Sequence, residues 1–197
     1  MKRTEYCLFE HEHTIYLSAS RAVSILRSQG FDVVAVNPLP AKEVRGNSLI
    51  VIAQKKPATW KPCGPAENAP GPCLGGVGKG IAATITRIDD WISALPGHVD
   101  LVGFGAGGRG VMTLAALKTS KRFSALFDSN HGGRKCLTPK TRIPIYGPER
   151  WADFSEAYCL VFSFGYIEEI TQQLCRSGFS TGRIISLSDF LKLAEMD

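Results

Sequence analysis

The sequence has no long hydrophobic run and no closely spaced pair of cysteines. None of its windows approaches 18 consecutive apolar residues, so we expect no membrane-spanning helix. The opening residues, MKRTEYCLFE, lack the apolar core of a secretory signal, which favours a cytoplasmic protein. Six cysteines are present, but none forms a C-x-x-C pair of the kind that structural zinc sites favour. We therefore predict reduced thiols and no metal site.

Positive charge is concentrated in one part of the chain. The formal net charge is +5, and residues 101–142 hold eight basic residues but a single acidic one, Asp128. Local charge of this kind fits a small anionic ligand such as a diphosphate, although a solvated basic surface would have the same composition. Aromatic and basic residues are not interleaved, and no helix-turn-helix or RNA-recognition signature occurs, so we expect no nucleic-acid partner.

Hydrophobic periodicity predicts an α/β fold. Residues 18–29 have helical spacing, and residues 31–36 and 48–54 have strand-like patterns. One helix and two strands cannot bury all their apolar faces, so this small N-terminal subdomain needs a further surface to pair with. From residue 79 onward, strands and helices alternate, which predicts a mostly parallel sheet with helices on both faces.

The same patterns set element and domain boundaries. In the second half we predict helices over 80–95, 108–120, 149–156 and 166–178, strands over 99–105, 122–128, 142–147 and 157–164, and a final strand and helix after residue 181. Residues 55–76 hold five of the eleven prolines and have no periodicity, which is typical of a linker. The predicted segments are therefore 1–56, a linker over 57–76, and a C-terminal domain over 77–197.

Two glycine-rich segments have spacings similar to those of nucleotide-binding loops. In the first, GGVGKG, Cys73 stands where a P-loop requires glycine, and Gly80 stands where it requires serine or threonine. Nucleotide hydrolysis at this stretch is therefore not expected. The second, LVGFGAGGRGVM, lies between a predicted strand and a predicted helix.

Gly103, Gly105 and Gly108 have G-x-G-x-x-G spacing, which predicts a Rossmann-like phosphate-binding turn. In such a turn the first glycine allows a tight bend, the second lets a phosphate approach the backbone, and the third lets helix and strand pack closely. Asp128 ends the next predicted strand, where a ribose-binding carboxylate is expected, and Arg109 adds a cation suited to a pyrophosphate. A turn of this type without a ligand is the alternative.

The segment FEHEH at residues 9–13 alternates imidazoles and carboxylates. A histidine with a pKa near neutrality is a natural general base, and an adjacent carboxylate can hold its tautomer. A solvated tail and a metal site are the alternatives.

The motifs HEH, SLIVIAQKK, GFGAGGRG, DSNHGGRKCLTPKTRIPI and IEEI occur in this order along the chain. In that order and spacing the sequence resembles S-adenosylmethionine-dependent C-methyltransferases of deoxysugar nucleotides. The resemblance implies that residues 9–54 correspond to the end of the methyltransferase domain and residues 77–197 to the C-terminal domain, which helps to hold the sugar nucleotide. The methyl donor binds outside that C-terminal domain in the family. We therefore expect no methylation by this chain alone, and S-adenosylmethionine only where a partner chain supplies its site, with a partner or second copy pairing through residues 9–54.

The resemblance also implies roles for individual residues. His11, Glu12 and His13 fall on the catalytic motif, in which a base removes the acidic proton beside a 4-keto group and the resulting enolate attacks the methyl group of S-adenosylmethionine. Glu10 replaces the family's tyrosine, His131 a proline and Lys140 a glycine, while Arg109 replaces a lysine. The expected sugar-nucleotide contacts are Arg109, Asn130, Arg134, Lys140, Thr141 and Arg142.

Two other interpretations remain open from the sequence. The chain could be an independent NAD-binding protein that uses Gly103, Gly105, Gly108 and Asp128, since a carboxylate there favours NAD over NADP. It could also be a non-catalytic assembly protein in which both motifs are relics.

Overall fold

The computed structural model describes residues 17–38, 49–56, 76–133 and 135–192. They fall into two compact units, one within residues 11–75 and the other mainly within residues 76–197. The predicted linker, apart from Gly76, lies outside the described residues.

The first unit is a helix packed on a two-stranded antiparallel sheet. Helix α1 spans Ala19–Ser28, strand β1 Phe31–Pro38 and strand β2 Leu49–Lys55. The hydroxyl of Ser18 caps α1 by accepting a hydrogen bond from the main-chain N–H of Arg21 at 3.3 Å. The predicted helix and strand pair are confirmed, and the pairing shifts register between Val33 and Ala35.

The second unit is built on a six-stranded sheet in the order β5-β6-β4-β3-β7-β8. Its strands are β3 Leu101–Phe104, β4 Phe123–Phe127, β5 Cys136–Leu137, β6 Pro144–Tyr146, β7 Tyr158–Val161 and β8 Ile184–Ser186. All neighbouring strands run parallel except β5, which is antiparallel to β6 at the edge. The predicted mostly parallel sheet is therefore confirmed, whereas the two-residue strand β5 was too short for its pattern to be recognised.

Helices cover both faces of this sheet, as predicted. The helices are α2 Val77–Ala94, α3 Gly108–Ala116, α4 Ile167–Arg176 and α5 Leu187–Lys192, and short 3-10 helices span Ser120–Arg122, Pro148–Phe154 and Thr181–Arg183. On one face, side chains of α2, α3 and α5, including Ile88 and Leu114, pack on Leu160. On the other face, Leu174 of α4 and Trp151 pack on Val161.

Helix α3 ends at Ala116, four residues before its predicted end. The carboxylate of Asp89 on α2 accepts hydrogen bonds from the main-chain N–H groups of Lys118 and Thr119, at 3.2 and 2.9 Å. These bonds hold the chain in a turn that leads to β4. Periodicity could not predict this end because the residue that fixes it lies 29 positions earlier.

The strand order places a topological switch point next to β3. From β3 the chain moves outward through β4 and β6 on one side and returns to β7 and β8 on the other. In open α/β sheets, ligands bind at the carboxyl ends of the strands where this reversal occurs. The topology therefore predicts a ligand site at the loops after β3 and β7.

Candidate functional site

The loop between β3 and α3 has the predicted strand–turn–helix context, but its glycine roles fall on other residues. Gly105 makes the tight bend, with φ of +99°, and its N–H donates to the carbonyl of Phe127 at 2.8 Å. A Cβ atom on Gly110 would lie 2.0 Å from the carbonyl oxygen of Gly105, so Gly110 permits the close packing of helix against strand. Gly103, by contrast, is buried inside β3, and Gly108 is exposed in the first turn of α3.

The structural register of the motif is therefore Gly105, Gly107 and Gly110, two residues later than predicted. Gly107 precedes α3 in an extended conformation, and a Cβ there would meet nothing within 4 Å. The signal was present in the sequence, because GAGGRG has the same G-x-G-x-x-G spacing. Gly103 is required for another reason: a Cβ at that position would lie 2.7 Å from the ring of Phe162.

Asp128 joins the end of β4 to the glycine loop. Its Oδ2 accepts a hydrogen bond from the main-chain N–H of Ala106, and its Oδ1 accepts one from the main-chain N–H of Asn130, both at 2.9 Å. The Asn130 side chain is exposed on the same carboxyl edge of the sheet. The position of Asp128 agrees with the sequence prediction, but both oxygens of its carboxylate already bind the backbone.

An open cleft of about 320 Å³ lies at the switch point. It is lined by Gly105, Gly107, Gly108, Arg109, Gly110, Phe162 and Ser163. The first five residues belong to the loop and first turn after β3, and the last two follow β7. The cleft thus lies where strand topology leads us to expect a ligand.

Arg109 brings a positive charge to this cleft. Its guanidinium carbon lies 4.0 Å from the ring centroid of Phe164. The first turn of α3 contains no acidic residue, and the N-cap residue, Gly107, has no side chain to cap the helix. A cation at a helix N-terminus is unfavourable with respect to the helix dipole, and the contact with Phe164 offsets part of this cost. A bound anion would lower it further.

Three predicted substrate residues lie at the opposite edge of the sheet. Because β6 runs parallel to β4, the turn that precedes it, with Lys140, Thr141 and Arg142, lies at the amino edge. The ammonium group of Lys140 donates to the carbonyl of Ala115, near the C-terminal end of α3, at 2.6 Å. The prediction that these residues join Arg109 at one ligand is corrected, because helix α3 and the length of the sheet separate them.

A second cleft, of about 370 Å³, also lies at the amino edge. Its lining includes His98, Asp100, Asp153, Glu156 and Arg183, and Arg183 forms an ion pair with Glu156 at 2.7 Å. Carboxylates outnumber cations here, so this cleft does not suit a phosphate. No local sequence pattern marks this cleft, because its residues come from the segments that precede β3, β7 and β8.

The remaining predicted site residues cannot be placed. His11, Glu12, His13 and Arg134 lie outside the described residues. Within the described ranges, no three His, Cys, Asp or Glu side chains are grouped so as to hold a metal ion. In that same part of the chain, every helix is too short or too polar to cross a lipid bilayer.

The fold is that of a Rossmann-like domain. Its cleft at the switch point is open and carries the positive charge of Arg109. Residues 93–187 match the model of the C-methyltransferase C-terminal domain family. The match begins near the end of α2 and includes all six strands of the sheet. It confirms the family resemblance found in the sequence for this part of the chain. No curated protein matches the chain.

Proposed function

We propose that this chain binds the diphosphate of a nucleotide-linked sugar in the switch-point cleft, as the substrate-holding part of a sugar C-methyltransferase. The observation that carries the proposal is the position of Arg109, in the first turn of α3 and in the lining of the cleft. The family match supports a methyltransferase-related role for residues 93–187. The diphosphate itself is inferred from the chemistry of the cleft.

The cleft combines two features that favour an anion. The start of a helix offers main-chain N–H donors and a partial positive charge. Glycines at 107 and 108 leave the backbone uncovered, so a phosphate group can approach it. Arg109 adds a full charge and a planar set of N–H donors that match phosphate oxygens. Asn130 lies at the same edge of the sheet and stays a predicted contact.

The cleft is a poorer match for two other ligands. A dinucleotide would need a carboxylate in the cleft for its ribose hydroxyls, but Asp128 is not among the residues that line it. S-adenosylmethionine carries a sulfonium cation, which Arg109 would repel. The residues present therefore do not fit the methyl donor, and its site belongs elsewhere in the active assembly. We propose that a partner chain or a second copy supplies that site, and that His11, Glu12 and His13 act on the sugar.

Isothermal titration calorimetry with dTDP tests the proposal, with thymidine as the ligand that lacks the diphosphate. We expect heat of binding for dTDP and none for thymidine. Removal of the charge in Arg109→Ala should weaken dTDP binding roughly tenfold or more, as expected for a charge-assisted hydrogen bond. Absence of heat with millimolar dTDP on the unmodified protein would refute the proposal.

Arg150→Ala is the matched control for this experiment. Arg150 follows β6 at the same edge, and its guanidinium carbon lies 4.4 Å from the ring centroid of Tyr146. It is paired with Asp153 at 2.8 Å and does not line the cleft. Its replacement makes the same change in net charge, so it should leave the affinity for dTDP nearly unchanged. An equal loss of affinity in both variants would mean that net charge alone, not the cleft, attracts the ligand.

A further inference from the structure

The contact between Arg109 and Phe164 joins the two loops that form the switch-point cleft. Arg109 lies in the first turn of α3, after β3, and Phe164 lies in the loop between β7 and α4. The distance of 4.0 Å from guanidinium carbon to ring centroid is well within the range of a cation–π interaction. Phe164 is half-buried and packs against the same hydrophobic cluster as Phe162. The position of the ring is thus fixed by its contacts with the core.

We infer that Phe164 is a positioning residue that holds the Arg109 guanidinium at the cleft for the ligand's phosphates. This inference rests on the proposed function. An arginine side chain has many rotamers, and binding a ligand normally costs the entropy of fixing them. Stacking on a fixed ring reduces that cost before the ligand arrives. A guanidinium that stacks by its face also keeps its N–H donors in the plane, where phosphate oxygens can accept them.

In this role arginine suits position 109 better than the lysine of the similar family motif. An ammonium group can also interact with a ring, but it has no flat face to stack and no fixed array of donors. Arg109→Lys keeps the charge and loses the planar contact. We therefore expect it to bind dTDP more weakly than the unmodified protein but more tightly than Arg109→Ala.

A purely structural role for Phe164 is the competing explanation, and a double-mutant cycle separates the two. We propose to measure the affinity for dTDP in Phe164→Leu, Phe164→Tyr, Arg109→Ala and the combination of Arg109→Ala with Phe164→Leu. Loss of the ring should weaken binding roughly two- to fivefold, the factor that an exposed cation–π contact corresponds to. Phe164→Tyr keeps the ring and should bind as the unmodified protein does. In the Arg109→Ala background, Phe164→Leu should have no further effect.

A measurement on the unmodified protein in solution checks the contact without any variant. The side-chain N–H and Cδ protons of Arg109 should show upfield ring-current shifts in NMR spectra, with cross-relaxation to the ring protons of Phe164. Tyr166→Leu is the matched control, since Tyr166 is an aromatic residue of the same loop with 61% of its surface exposed. It should change neither the Arg109 shifts nor the affinity for dTDP.

The outcomes distinguish this inference from the proposed function. Ring-current shifts without any dTDP binding would refute the proposed function, and the positioning role with it. Binding of dTDP that Phe164→Leu weakens equally with and without Arg109 would overturn the positioning role alone. Binding of dTDP without upfield shifts at Arg109 would also overturn it.

Discussion

The carbonyl oxygen of Gly105 lies against the α-carbon of Gly110, at a point where a Cβ atom would be 2.0 Å away. Gly105 directly follows β3, the strand that leads into the cleft, and Gly110 is in the first turn of α3. Since the obstacle is main chain, no side-chain rotation can relieve it. The close approach of α3 to the end of β3 depends on this pair of glycines.

Gly110→Ala should therefore destabilise the domain, and Gly107→Ala should not. Overpacking of a tight backbone contact costs about 1–3 kcal/mol, and the clash at Gly110 would have to displace α3. Gly107 has φ of −70° and no atom within 4 Å of the Cβ position, so alanine fits there, with a change of about 1 kcal/mol or less. Urea denaturation of both variants measures the difference. Equal stability of the two would show that the close approach is absent.

The pH dependence of stability should depend on Asp89. Its side chain is 9% exposed, and its Oδ1 accepts hydrogen bonds from both the N–H and the hydroxyl of Thr119, at 2.9 and 2.6 Å. Burial alone would raise the pKa of Asp89, but the hydrogen bonds from Thr119 and Lys118, with the charge of Lys118, lower it below its usual 3.8.

A lowered pKa in the folded state means that the ionised form of Asp89 stabilises the domain. This contribution is fully present above the unfolded-state pKa and is lost as pH falls through the folded-state value. Asp89→Asn should reduce the free energy of unfolding at pH 7 by about 1–3 kcal/mol. It should also make that free energy fall less steeply as the pH is lowered. Urea titrations from pH 7 to about pH 2 measure this. Asp90→Asn, at the exposed neighbouring position, is the control and should leave the curve nearly unchanged.

The buried thiol of Cys159 should be chemically inert in the folded protein. It lies in β7 with no exposed surface, and burial raises its pKa to about 12. The thiolate is the reactive form, and almost none is present at pH 8. Cys136 and Cys175 are half-buried and not in disulfides, so they should react with iodoacetamide before Cys159 does. Peptide mass spectrometry gives the order, and labelling of Cys159 as fast in native protein as in urea would contradict the structure.

Sequence patterns predicted the sheet, the helices on its faces and the loop that carries the cleft, because local periodicity and glycine spacing encode these features. They did not predict which edge of the sheet each loop occupies. The basic residues between 101 and 142 are close in sequence, yet Arg109 follows a strand and Arg142 precedes one. In a parallel sheet that difference places them at opposite edges. The contact of Arg109 with Phe164, 55 positions away, has no local signal either.

Variants of Lys140 test whether the residues at the amino edge of the sheet are separate from the ligand at the carboxyl edge. It has φ of +62°, a left-handed conformation that disfavours β-branched side chains, and its ammonium group donates to Ala115 rather than lining the cleft. Lys140→Gly relieves the backbone strain while losing one hydrogen bond, so its stability should change by about 1 kcal/mol or less. Lys140→Val loses the bond and increases the strain, and should be the less stable of the two in urea denaturation. Both variants should bind dTDP as tightly as the unmodified protein, since the affected turn lies at the amino edge. If Lys140→Gly weakened dTDP binding as much as Arg109→Ala does, both cations would have to contact one ligand. The strand order does not allow this.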